Sequence, residues 1–264
     1  MLAKKIKKNS KTKAIKSSSP VSIKEEVLKI KKKLKPATEL TISAWQLYVR
    51  GFSDFIGMYL WGLLGQLPLI AVMVTVLVFK HFSVNDIGLY LLLGIFGLFA
   101  LAWSIYYGTR AKIGLLLLIK NDFSGVRASF RESKEFFTTY LLTSLLTFLL
   151  TIVLLFCLVI PGIIVAVFYS FALFAVIIEK KRTFSAVERS YDLVKGYWWP
   201  VFGRILFLVL LAILASLVLG LPEYWLDSNM KETYRLITNV VWILLSPFFI
   251  TYTYSLYQDL KTKK

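Results

Sequence analysis

The sequence predicts an all-α, polytopic membrane protein with six transmembrane helices, on the strength of its apolar content and the way that content is distributed. Of 264 residues 57% are hydrophobic, and the mean hydropathy is +0.67, well above that of an ordinary soluble domain. The apolar residues fall in six long runs, near 55–79, 87–108, 136–159, 162–178, 198–221 and 236–257. A helix needs roughly 20 such residues to cross a hydrocarbon core about 30 Å thick. Within the runs nothing alternates: Ile205-Leu206-Phe207-Leu208-Val209-Leu210-Leu211 has no polar position, whereas a transmembrane barrel strand would have one at every second residue.

The formal charge of +17 is placed unevenly. With the N-terminus in the cytoplasm, the outer loops hold only Lys80, Lys231 and Arg235 as basic groups, beside Asp86, Glu223, Asp227 and Glu232. The inner loops receive Arg110, Lys112, Lys120, Arg127, Arg131 and Lys134, then Lys180, Lys181, Arg182, Arg189 and Lys195, and at the end Lys261, Lys263 and Lys264. Cytoplasmic loops carry such an excess of Lys and Arg. The pattern therefore predicts a multi-pass protein of the cytoplasmic (inner) membrane, with an even number of spans and both termini in the cytoplasm.

Along the chain, residues 1–37 read as a basic N-terminal tail, 38–260 as the six-helix transmembrane domain and 261–264 as a basic C-terminal tail. Within the first, Ser22-Ile23-Lys24-Glu25 has the spacing of a capping box, and Ile23, Val27, Ile30 and Leu34 follow at helical spacing. The resulting amphipathic helix at 22–35 has acidic residues at its start, lysines at its end, and Pro36 as its stop. Its apolar stripe can enter the headgroup region while its lysines meet anionic lipid headgroups. It has no aromatic platform for bases, so nucleic acid is not an expected partner. Three amphipathic stretches, at 44–52, 129–137 and 190–198, each precede a pair of runs, which predicts a threefold repeat of a cytoplasmic-side interfacial helix plus two spans. Ser129…Glu132 and Ser185…Glu188 have capping-box spacing. Trp45, Tyr48, Tyr197, Trp198 and Trp199 fall at the inner boundaries, and Tyr224, Trp225 and Tyr234 near the outer one, where amphipathic rings concentrate. Ile160-Pro161-Gly162 leaves almost no loop between the third and fourth spans, and Pro247 predicts a kink in the last.

Residues able to carry chemistry are few. His81 is the single histidine and Cys157 the single cysteine, so neither a multi-histidine metal site nor an internal disulfide can be assembled, and no cofactor is expected. No ionisable residue falls at mid-span, where it would mark a functional site. A polar path could be built from Gln66, within the first span, and from Thr139, Thr143, Thr147 and Thr151, a stripe at four-residue spacing on the third. Such threonines more often bond to their own backbone or to a neighbouring helix. Gly62 and Gly65, and the small-residue faces Ala100/Ser104/Gly108 and Ala212/Ser216/Gly220, suit close helix packing.

The stretch 160–203 contains Pro161-Gly162, an apolar helix ending in Glu179, then Ala186, Arg189-Ser190, Leu193 and Gly196 with aromatics after it. With Pro247 and Tyr257-Gln258-Asp259-Leu260, it resembles the membrane domain of bacterial glycerophosphoryl diester phosphodiesterases and related stand-alone polytopic membrane proteins of unknown function. The resemblance implies a six-span helical domain. It also implies structural roles for Pro161, Gly162, Glu179, Arg189, Ser190 and Gly196: Glu179 pairing with Arg182 or Arg189, Ser190 bonding to backbone, and Gly196 turning the chain into the fifth span. A catalytic phosphodiesterase barrel has no residues here in which to reside. The expected function is thus a non-enzymatic integral membrane module acting as scaffold, partner-binding or lipid-organising protein, with membrane lipids, a protein partner or a further copy of the chain as its company. The alternative is a transporter or permease for a lipid or small solute. An enzyme acting on lipid would need a polar cluster at one boundary, for which Glu179, Arg189 and Asp192 are the candidates.

Overall fold

The computed structural model describes residues 34–82 and 86–264, and the predicted helix at 22–35 falls outside these apart from its last two positions. The described residues form α-helices and one 3₁₀ turn, with no strand among them. Five helical stretches are long and apolar enough to cross a membrane: Ile87–Lys120, Val126–Phe156, Val159–Ile178, Trp198–Trp225 and Met230–Lys263. A pair of helices bent by 48° passes the same test together and makes a sixth where it is counted as one span. The chain is a helical multi-pass membrane protein.

Helix α1 (Ala37–Arg50) starts at Pro36, whose extended backbone cannot continue a helix backwards. It buries Leu40, Ala44 and Tyr48, one face at four-residue spacing, and carries Glu39 in its first turn and Arg50 in its last, as the helix dipole favours. At Gly51 the ring of Phe123 fills the space that a Cβ would need, so the α1–α2 hinge seats directly on the later α4–α5 connection. Arg50 bonds Asp122 there at 2.6 Å.

The first predicted span is a broken one. Helices α2 (Phe52–Leu64) and α3 (Leu67–His81) meet at 48°, with Gly65 and Gln66 at the break. Pro68 has no N–H to offer Leu64, which interrupts the hydrogen-bond ladder. Gly65 lies against Tyr107 so closely that a Cβ would collide with it, and a Cβ on Gly62 would stand 3.2 Å from that of Ala111. The Gly62/Gly65 pair is therefore a close-packing face, as its spacing suggested.

Helix α4 (Ile87–Lys120) overruns the predicted 87–108. The residues assigned to a loop after it are helical up to Lys120, and Ile113–Ile119 are all buried. Only Asn121–Gly125 separate α4 from α5 (Val126–Cys157), a connection made tight by Asp122, Phe123 and Gly125 at positive φ. The stretch 129–137 is no helix of its own but the beginning of α5, and Ser129, in its first turn, is not a cap. Helix α6 (Val159–Tyr169) is reached through one extended residue, Leu158. The joint thus lies before 160–162, not in it. Pro161 and Gly162 sit in the first turn of α6, where a missing N–H has no consequence. A Cβ on Gly162 would come within 2.7 Å of the Leu155 Cα.

Helix α7 (Ala172–Ile178) completes that span, α8 (Thr183–Val194) follows on the basic side, and α9 (Trp198–Gly220) crosses back. Helix α8 begins at Thr183 with Arg182 in the capping position, so Ser185 is not its cap. A 3₁₀ turn (Leu221–Trp225) leads to α10 (Ser228–Lys263). Pro247 lies inside α10 without ending it, and the Ser246 hydroxyl donates at 2.9 Å to the Ile243 carbonyl that Pro247 cannot serve.

Burial is concentrated toward the basic ends of the helices. Helix α3 buries nothing, α9 only Val201, and α10 nothing before Pro247. The dense layer is made by α1, the start of α2, the second half of α4, the first half of α5, and α7, α8 and the end of α10.

Candidate functional site

Two arrangements stand out in that layer, and both involve α10. No helix runs close along the backbone of α10 as α4 and α5 run along each other. Its buried side chains, Phe248, Leu256 and Leu260 among them, and a set of long polar ones hold it instead. The Tyr48 hydroxyl donates to the Leu244 carbonyl at 3.0 Å, Tyr252 to that of Arg204 at 3.4 Å, and Tyr257 to Glu179 Oε1 at 2.8 Å. Asp259 accepts the backbone N–H of Lys35 at 2.7 Å, and the guanidinium of Arg204 donates to the Lys35 carbonyl at 2.8 Å.

The first arrangement is a knot of charge at the basic end of α7. Arg189 meets Glu179 with both prongs, Nε to Oε2 at 2.9 Å and Nη2 to Oε1 at 3.3 Å, and Lys261 stands 3.8 Å from Oε1. Burial pushes the Glu179 carboxyl up. The hydrogen bonds from Arg189 and Tyr257, with the charges of Arg189 and Lys261, outweigh that and hold it below its ordinary 4.5. Ser190, one residue on, stitches the α6–α7 break: its hydroxyl donates to Phe168 O at 2.6 Å and accepts from the Phe171 N–H at 3.1 Å. Gly196, at φ +89°, turns the chain from α8 into α9. Glu179, Arg189, Ser190 and Gly196 therefore sit as the sequence suggested, with Arg189 and not Arg182 as the partner of Glu179. Asp192 is exposed and contacts neither member of the pair.

The second arrangement is a cavity of about 820 Å³ between α2, α4, α5, α7 and α10. It lies where no helix backbone runs close along α10. Aliphatic and aromatic side chains line most of it, among them Leu115, Leu116, Phe174 and Ile250. Its polar wall is short. Tyr59 and Ser246 share a hydrogen bond on it, and Gln66 accepts at Oε1 from the hydroxyl of Ser104, which stands behind the lining. Lys112 lines it too, exposed, and makes no ion pair or hydrogen bond among the described residues. Leu60, Leu63 and Ile243, at 57, 55 and 50% exposure, belong both to the wall and to the outer surface, so the cavity opens sideways between α2 and α10.

The family described as a domain of unknown function, DUF7847, matches residues 48–260. The chain belongs to the DUF7847 family. No curated protein and no solved structure matches it. The DUF7847 stretch opens at Tyr48 and closes just after Asp259, both of which fasten α10, so it contains Glu179, Arg189 and Tyr257 of the charge knot, though not Lys261, and the whole cavity.

Of the predicted polar path, Gln66 alone lines the DUF7847 cavity. The threonine stripe serves its own helix: Thr143 is buried and donates to Thr139 O at 2.7 Å, and Thr147 donates to Thr143 O at 2.8 Å. Thr139 and Thr151 are half-buried on the same helix and do not line the cavity, whereas their neighbour Tyr140 does. No group of three potential metal ligands comes together among the described residues. Sequence reasoning passed over Tyr59, Tyr140 and Ser246, and read Lys112 as a loop cation although it lies within α4. Ser104 was visible only as a packing residue, although its position on the small-residue face opposite Gln66 was the available signal.

Proposed function

We propose that this DUF7847 protein is a non-enzymatic integral membrane module that organises lipid, taking the chain of a bilayer lipid into its lateral cavity. One observation carries the reading: an apolar cavity of about 820 Å³, within the usual range for a small-molecule site, communicates with the bilayer through Leu60, Leu63 and Ile243. A space walled by hydrocarbon side chains and reached from hydrocarbon is filled most favourably by hydrocarbon. The sequence resemblance to the membrane domain of glycerophosphoryl diester phosphodiesterases supports a module that works beside lipids. In this reading the basic end faces the cytoplasm, and the basic segment at 22–35 meets anionic headgroups there. Native mass spectrometry of the protein released from nanodiscs tests it. The wild type is expected to carry lipid, and Leu63→Trp, which fills the mouth, to carry less. Equal lipid on both would refute the reading.

A second reading, a lipid transporter, is favoured by one feature: the first span is broken at Gln66, beside the cavity. Broken helices line substrate paths in transporters. Reconstituted protein that moves a labelled lipid between leaflets faster than protein-free vesicles would support it, and no acceleration would remove it.

A further inference from the structure

We infer that the cavity selects an anionic lipid of the leaflet on the basic side, with its acyl chain running from Lys112 toward Gln66 and its phosphate or carboxylate held by the Lys112 ammonium. This rests on the lipid-holding reading above and adds headgroup charge, leaflet and direction to it.

Dimensions come first. On α4 the lining runs from Gly108 to Leu116, and on α2 from Ile56 to Gln66. At 1.5 Å per residue these are about 12 and 15 Å. That is about half of a 30 Å hydrocarbon core, the depth of one leaflet. The lining of α7, Leu173 and Phe174, lies just before Glu179 and the basic loop, which puts the cavity in the half of the membrane next to the basic end.

Charge comes second. No carboxylate lines the cavity, and Lys112 is its only cation. Three other cations of the dense layer are engaged, Arg110 with Ser133, Tyr106 and the Phe130 carbonyl, Lys120 with the Ile177 carbonyl and Arg189 with Glu179, while Arg127, Arg131 and Lys134 are exposed on α5 and do not line the cavity. Lys112 has no such partner among the described residues. Lys112 stands midway along the α4 lining and is exposed, and a primary ammonium on a flexible stem can bury its methylenes in the apolar wall and carry its charge toward headgroup level. The inner end is polar but uncharged. Gln66 accepts from Ser104 and keeps its amide NH₂ free among the described residues, which limits how far an apolar chain gains by entering.

The test uses the full chain in nanodiscs of equal phosphatidylglycerol and phosphatidylcholine, with the lipid retained after detergent extraction quantified by mass spectrometry. Wild type is expected to retain phosphatidylglycerol preferentially. In Lys112→Gln that enrichment should fall about fivefold, the effect of one basic group near an anionic surface, while Lys112→Arg should keep it. The remaining basic residues are the same in every variant, so their contribution cancels. No enrichment in the wild type, or equal enrichment in Lys112→Gln, would overturn the inference while leaving the lipid-holding reading intact if Leu63→Trp still loses lipid. A Leu63→Trp variant that keeps its full, charge-selected lipid would show the anion to sit outside the cavity and would overturn both. Loss of enrichment in Lys112→Arg as well as Lys112→Gln would also overturn the inference, because a retained charge would then have no effect.

Discussion

Replacing Glu179 by Ala should destabilise the fold by an amount that depends on pH in a fixed direction. The carboxylate is 13% exposed and its partner Arg189 27%. Pairs on a free surface contribute about 0–1 kcal/mol. Breaking a fully buried pair costs about 3–5 kcal/mol. A half-buried, two-pronged pair that also receives the Tyr257 hydroxyl should cost about 2–3 kcal/mol to break. Equilibrium unfolding in mixed micelles, followed by tryptophan fluorescence, measures the loss, and a cycle with Arg189→Met isolates the pair, with an expected coupling of about 1.5 kcal/mol. The Glu179 carboxyl titrates below its ordinary 4.5 in the folded protein. Its stabilisation is therefore complete above the unfolded value and is lost as pH falls through the folded one. The gap between wild type and Glu179→Ala should hold from neutral pH down to about 5 and narrow below 4.5. A gap of the same size at pH 3 and pH 7, or a coupling near zero, would refute the argument.

Gly65→Ala should force α2 away from Tyr107 and cost about 1–3 kcal/mol in the same assay, with Tyr107→Ala restoring part of it. Ser190→Ala should cost about 1–3 kcal/mol, because the Phe171 N–H loses its acceptor in the buried α6–α7 break. Gly196→Ala should cost about 1 kcal/mol although the space around Gly196 is open, since the loss comes from its positive φ alone.

The helical membrane class and the position of the spans were legible because twenty apolar residues in a row have few other uses. The charge knot was legible too. Glu179 and Arg189 lie ten residues apart, and the sequence left only the choice between Arg182 and Arg189 open. The second half of α4 was not legible. Ile113–Ile119 is seven apolar residues bracketed by Lys112 and Lys120, too short for a span, so its lysines made it read as a loop. It is instead buried along its whole length by the protein itself. The cavity could not be read at all. It is a gap between five helices distant in sequence, and no short stretch of residues signals it. The threonine stripe shows the opposite error: four polar residues at regular spacing suggest a path, but a hydroxyl that reaches the carbonyl one turn back needs no path to explain it.

The uneven burial along the helices makes the two leaflets unlike environments for this protein. On the basic side it is a solid body with its own core. Toward the other side α3, the start of α4 and most of α9 touch little but what surrounds them, so lipid tails complete the packing that side chains provide at the basic end. Solvent and core are then partly the same substance. A change in bilayer thickness or tail order should be felt first by the splayed half, and passed to the compact half through the long helices α4, α5 and α10 that belong to both.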